Sequence, residues 1–159
     1  MGASLDEIRK VYEHRFPTYC RTFGRLVGSV TVGHDIVQEA FARALRYRAS
    51  FDGRSLEAWI WGIGVRLVAD EVGRPTLLPL DGRGGTAPAV AGPDHALAGA
   101  IRALPERQRV MVYLFYYADL SYADIAEACA VEVATVGSAL AAARARLATA
   151  LEGQEVRDG

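Results

Sequence analysis

The sequence predicts an all-α protein made of two small helical domains joined by a flexible linker. Three observations carry this. Apolar residues recur with helical period through most of the chain, alternating β patterns are absent, and one glycine- and proline-rich stretch interrupts the period near the middle. The 159 residues, 51% of them hydrophobic, suffice for one ordinary domain or two small ones.

The elements follow in order. Ser4 with Glu7 fits a capping box, so a first helix is expected from there to about Gly28. A second follows Gly33, with Ile36, Val37, Ala40, Phe41, Ala44 and Leu45 on its apolar side. A break containing Asp52-Gly53 spans Phe51 to Arg54. A third helix carries Leu56, Trp59, Ile60, Ile63, Leu67 and Val68, and Gly73 and Pro75 end it. Residues 75–99 hold four prolines and lack helical period, which reads as the linker between a domain at 1–74 and one at 100–152. In the second domain Pro105 suits the first turn of a helix running to about Ala118. Ser121 with Asp124 caps a short helix through Ala128, a turn follows around Cys129–Glu132, and a last helix runs from Val133 to about Leu151. Residues 153–159 form a tail. Short helix, tight turn and longer helix make a helix-turn-helix pattern, although two packed helices that bind nothing give the same spacing.

Composition bounds the function. No apolar run is long enough for a transmembrane helix, and the N-terminus opens on charges rather than an apolar stretch, so a cytoplasmic protein without a membrane partner is expected. Cys20 and Cys129 lie far apart and read as buried free thiols. The three histidines are scattered, and no metal site, cofactor or catalytic set is expected, which argues against an enzyme. Net charge is −1. Residues 1–74 hold eleven Lys/Arg against nine Asp/Glu, and residues 101–151 hold five of each. A protein that holds DNA unaided carries a clearer basic excess.

Two sets of residues resemble a known family. Leu104-Pro105-Glu106-Arg107-Gln108-Arg109, then Leu120-Ser121-Tyr122-Ala123-Asp124-Ile125-Ala126-Glu127 and Thr135-Val136, resemble region 4 of the extracytoplasmic-function sigma factors of the sigma-70 family. Asp35-Ile36-Val37-Gln38-Glu39-Ala40-Phe41, then Phe51-Asp52-Gly53-Arg54-Ser55 and Trp59-Ile60, resemble region 2. Both occur in the family's order and cover nearly the whole chain outside its ends and linker. The resemblance implies a bacterial, non-catalytic transcription factor that binds core RNA polymerase and directs it to promoter DNA. Region 2 grips the polymerase clamp and captures bases of the melted −10 element, and region 4 grips the flap and reads the −35 duplex. It implies no cofactor, a monomer when free and, as for many members, an anti-sigma partner.

The same resemblance assigns residues. Asp35, Gln38 and Glu39 share one helix face and are expected against the polymerase, whereas spacing alone also fits a solvated face. Phe51 and Arg54 are expected to contact the −10 strand, since aromatic and arginine planes stack on any base. Phe51 alternatively plugs the gap between helices. Trp59 is expected in the core. Trp61, roughly 200° further around the helix, is placed facing solvent or the −10 DNA, and Arg66 stands where an asparagine often reads that strand. Thr135, Val136, Ser138, Arg144 and Arg146 are expected to meet the −35 duplex. The aromatic residues Tyr113, Phe115, Tyr116 and Tyr117 are expected in the core and at the flap.

The departures from the family remove charge. Gly137, Ala139, Ala141 and Ala142 stand where lysine, arginine, histidine and another basic residue are usual, and Gly62 and Gly64 where arginine and alanine are usual. A second reading therefore stays open: a sigma-like regulator with a degenerate DNA-reading helix that binds polymerase or an anti-sigma factor without initiating.

Overall fold

The computed structural model describes residues 2–72 and 93–158, which hold seven α-helices and no strand. The expected linker falls outside the described residues up to position 92.

Helix α1, Leu5–Val27, starts as its sequence dictates. The Ser4 hydroxyl accepts from the Glu7 amide, and the Glu7 carboxylate accepts from the Ser4 amide at 2.8 Å. These bonds hold the Glu7 carboxyl below its ordinary range. Gly28, in the left-handed conformation at φ 72°, ends the helix.

Helix α2, Val30–Arg46, begins earlier than expected. Ser29 caps it, accepting from the Val32 amide at 3.1 Å, and Gly33 lies inside the helix rather than before it. Gly33 is there for packing. A Cβ at that position would sit 2.5 Å from the Gly24 backbone, so the two glycines let α1 and α2 touch main chain to main chain.

A short 3-10 turn, Arg48–Ser50, leads through the break to α3, Leu56–Val72, which starts with the Ala58 amide donating to the Ser55 hydroxyl. Gly64 on α3 has a packing reason too: its missing Cβ would lie 2.3 Å from the Phe23 ring. The first core gathers Tyr19, Phe23, Val37, Phe41, Ile60 and Trp61, all nearly or fully buried.

The second unit starts earlier than expected. Helix α4, Pro93–Arg102, occupies positions 93–99, which were expected in the linker. Proline is compatible with a helix's first turn, and Ala96, Ala98, Ala100 and Ile101 favour continuation, so Pro93 opens this helix. Then come α5, Glu106–Tyr116, α6, Tyr122–Cys129, and α7, Val133–Asp158. Helix α7 runs through the expected tail, because nothing before Asp158 breaks it except Gly153, which a helix tolerates. Met111, Leu114, Ile125, Val136 and Leu140 form the second core, against which α4, α5 and α6 pack α7. The two units also touch, α3 against α6 and α1 against α5.

Candidate nucleic-acid interface

On α2, Asp35 and Gln38 are exposed and Glu39 is half-buried, while Ile36, Val37, Ala40 and Phe41 fill the core behind them. The Gln38 amide donates to the Tyr12 hydroxyl at 3.5 Å, and Glu39 accepts from Arg43 at 2.8 Å. Beside this face runs an open groove of about 500 Å3 between α1 and α2, lined by Leu5, Ile8, Tyr12, Gln38, Phe41 and Leu45. Leu5 is 56% exposed and Leu45 40%. The sequence reading missed this apolar strip. Its trace is the spacing of Leu5, Ile8 and Tyr12, which puts all three on one face of α1.

The break before α3 is a bent loop anchored at its base. The Gly2 amide donates to the Phe51 carbonyl at 3.1 Å and the Ala3 amide to the Arg48 carbonyl at 3.0 Å. Phe51 leans on Trp59, ring centroids 5.3 Å apart, and keeps part of its ring exposed. Arg54 is exposed at the tip, and Arg66 is exposed further along α3.

Trp61 is not at this surface. It is fully buried, stacked on Tyr19 at 3.9 Å, and its indole nitrogen donates to Glu57 at 3.3 Å. The helical angle placed it away from Trp59 correctly but took the wrong one of the two for the core side. Trp59 is the half-buried one. Tyr19 is 0% exposed and its hydroxyl donates to the Glu57 carbonyl at 3.2 Å; burial pushes its phenol well above the ordinary range.

In the second unit the axes of α6 and α7 meet at 103°. That angle lies within the range of about 90–120° for a helix-turn-helix. Ala130 makes the turn possible in the left-handed conformation, φ 57°, with its amide bonded back to the last turn of α6.

The helix following the turn exposes Ala134, Ser138, Ala141, Ala142, Ala145 and Arg146. Thr135 is half-buried. Val136 is fully buried against the second core, so its side chain supports the helix and cannot reach a base edge. Arg144 is exposed but held: its Nε donates to the Tyr116 hydroxyl at 2.8 Å, and the guanidinium lies 5.9 Å from the Phe115 ring centroid. Glu132, just before the helix, is exposed. It sets a carboxylate near the helix N-terminus, where a phosphate would otherwise be favoured. Of the aromatic group, Tyr113 is buried, Phe115 and Tyr117 are half-buried, and Tyr116 is 51% exposed.

Both thiols are free and half-buried. Burial raises both, Cys129 from 9.0 to about 11 with Arg107 opposing. No single described helix is long and apolar enough to cross a membrane.

Residues 11–75 match the family model for sigma-70 region 2, and residues 94–147 match the model for sigma-70, region 4. No curated protein matches the sequence. Among solved structures, the chain is similar to the sigma factor RpoE from Bartonella quintana, in its co-crystal with the anti-sigma factor NepR. The TM-score is 0.73 and the identity 21%, covering 93% of this chain and 98% of that one. It is also similar to CnrH in complex with the cytosolic domain of CnrY, with a TM-score of 0.73 and 19% identity, covering 95% of this chain and 91% of that one.

Proposed function

The chain belongs to the sigma-70 family, and from that premise we propose that it works in the cytoplasm as a two-region, extracytoplasmic-function-type sigma factor that takes an anti-sigma partner. It binds core RNA polymerase and directs promoter-specific initiation. One observation carries this: region 2 and region 4 occur together in order, and the second ends in two helices crossing at 103°.

In this reading Asp35, Gln38 and Glu39 meet the polymerase clamp, and the neighbouring apolar groove between α1 and α2 extends that surface. Phe51, Arg54 and Arg66, all at least partly exposed, meet the −10 strand. Ser138, Arg146, Arg144 and Thr135 meet the −35 duplex. The anti-sigma partner is supported by the similar fold of RpoE, determined with the anti-sigma factor NepR, beside that of CnrH, determined with the cytosolic domain of CnrY.

The test is run-off transcription with core polymerase and genomic DNA fragments from the source cell. Discrete promoter-dependent transcripts are expected. Polymerase binding with no such transcript under any condition would sink the initiation role.

A further inference from the structure

Three aromatic rings gather around one arginine where α5, α6 and α7 meet. Phe115 and Tyr116 end α5, and Tyr122 opens α6. The Phe115 ring stands edge-on to Tyr116, 4.8 Å between centroids, and to Tyr122 at 5.4 Å. The Arg144 guanidinium of α7 lies 5.8 Å from the Tyr116 centroid and 5.9 Å from that of Phe115. Its Nε donates to the Tyr116 hydroxyl at 2.8 Å. That bond first, and the Tyr122 hydroxyl after it, raise the guanidinium above its ordinary range, so it stays charged.

The bond does little for the fold. Arg144 and Tyr116 are exposed, and α5 and α7 are already joined beneath them, where Met111, Leu114, Leu140 and Ala143 are fully buried. A hydrogen bond between exposed groups adds little stability, because water serves both partners when it breaks. What it does is fix a long side chain. It uses Nε alone, so the terminal nitrogens keep their forked N–H donors, the geometry that matches a phosphate. Among the described residues no carboxylate pairs with Arg144. Gly137 lies two turns earlier on the same face of α7, also beside Tyr122, whose ring would be 3.7 Å from a Cβ there. The lysine usual at that position is absent, so Arg144 is the cation left on this face near Tyr122. Arg146 lies roughly 200° further around the helix.

We infer that Tyr116 is a positioning residue for duplex DNA: it holds the Arg144 guanidinium by Nε, so that the terminal nitrogens are presented, already ordered, to one backbone phosphate. A free arginine loses rotamer freedom when it grips a phosphate, and Tyr116 removes part of that loss before DNA arrives. Tyr116 supplies no charge and needs no contact with DNA; its influence passes through Arg144. On a helix poor in charge, one ordered contact offsets part of what the missing basic residues would have contributed. The inference rests on the reading of α7 as the helix that meets the −35 duplex.

The test is a double-mutant cycle on the full chain: wild type, Tyr116→Phe, Arg144→Ala and the two together, with Arg146→Ala alongside. Each is titrated against a labelled duplex of randomised sequence, about 20 base pairs long, over a range of salt, because a phosphate contact does not depend on sequence. Arg144→Ala is expected to weaken binding and to flatten the log–log slope by about one unit. Tyr116→Phe keeps the ring and the charge. It is expected to weaken binding roughly 2- to 10-fold at an unchanged slope, the range for ordering one long side chain. In the Arg144→Ala background it should change nothing. Thermal unfolding is expected to be the same for Tyr116→Phe as for wild type. Heteronuclear NMR reads the bond itself: the Arg144 Nε–H, assigned by its loss in Arg144→Ala, should exchange slowly in wild type and fast in Tyr116→Phe. Wild-type affinity in Tyr116→Phe, an equal loss in both backgrounds, an early-melting Tyr116→Phe or a fast-exchanging wild-type Nε–H would each overturn the positioning. So would an Arg144→Ala variant that binds like wild type. If Arg146→Ala still weakens binding in that case, the reading of α7 stands; if neither variant does, that reading falls with it.

Discussion

Trp61 shows how a single side chain divides structure from recognition. It is fully buried, stacked on Tyr19 and hydrogen-bonded to Glu57, and it ties α3 to α1. Trp61→Ala should therefore cost about 3–5 kcal/mol of stability, read by denaturant unfolding, before any effect on DNA is seen. A loss of DNA binding at unchanged stability would contradict this placement. Cys129 gives a second residue-scale expectation. Its folded thiol titrates near 11 against 9.0 for the ordinary group. Iodoacetamide labelling of the folded chain should stay slow through pH 9 and accelerate toward 11, while the unfolded chain labels fast from about 9. The linkage sign follows: the unfolded thiol ionises first, so this group leaves stability untouched below pH 9 and erodes it between 9 and about 11. Labelling at pH 8 as fast as for the denatured chain would contradict it.

At the scale of elements, most ends with a chemical cap were legible, and ends obscured by a nearby glycine or proline were not, the Ser29 cap of α2 among them. Ser4, Glu7 and Gly28 bound α1 where the sequence predicts, and Pro105 and Ser121 did the same for α5 and α6. Gly33 misled because a glycine in a helix looks like a stop until the close approach of Gly24 is seen. Pro93 and Gly99 misled in the same way, hiding α4 inside what read as linker. The site divides likewise. Exposure of Asp35, Gln38 and Arg66 follows from helical period and that of Arg54 from its place in the break before α3, whereas the groove beside Leu5 and Leu45 needs two helices placed side by side. Helix α7 keeps its framework and lacks charge. Of its exposed residues near the turn only Arg144 and Arg146 are basic, and Arg144 is bonded to Tyr116. Binding of the full chain to duplex DNA bearing only the −35 element should fall with salt at a log–log slope no steeper than about −2, since each phosphate contact contributes about −0.9. Arg146→Ala should flatten it by about one unit. A slope of −5 would mean that phosphate contacts lie elsewhere on the molecule.

At the scale of the whole molecule, the buried residues of the two units run together into one hydrophobic cluster, and the closest approaches across their boundary are small-residue and polar: Gly62 on Ala128, Arg15 on Ala118, Arg25 on Tyr117. Such an interface is expected to open and close rather than to fuse the units. A binder that takes only the open form sees its affinity scaled by the open fraction. Gly62→Gln should thus tighten the apparent affinity for core polymerase by up to the inverse of that fraction, measured by titration with labelled protein. No change with a demonstrably expanded variant would mean that polymerase accepts both forms.

Gly62 carries a consequence of a different kind. The two surfaces it brings together belong to one chain, so their encounter does not dilute. Raising the concentration of the protein leaves that encounter as it is. A missing side chain on one helix therefore sets how closely the two units approach, at any concentration and in every copy alike.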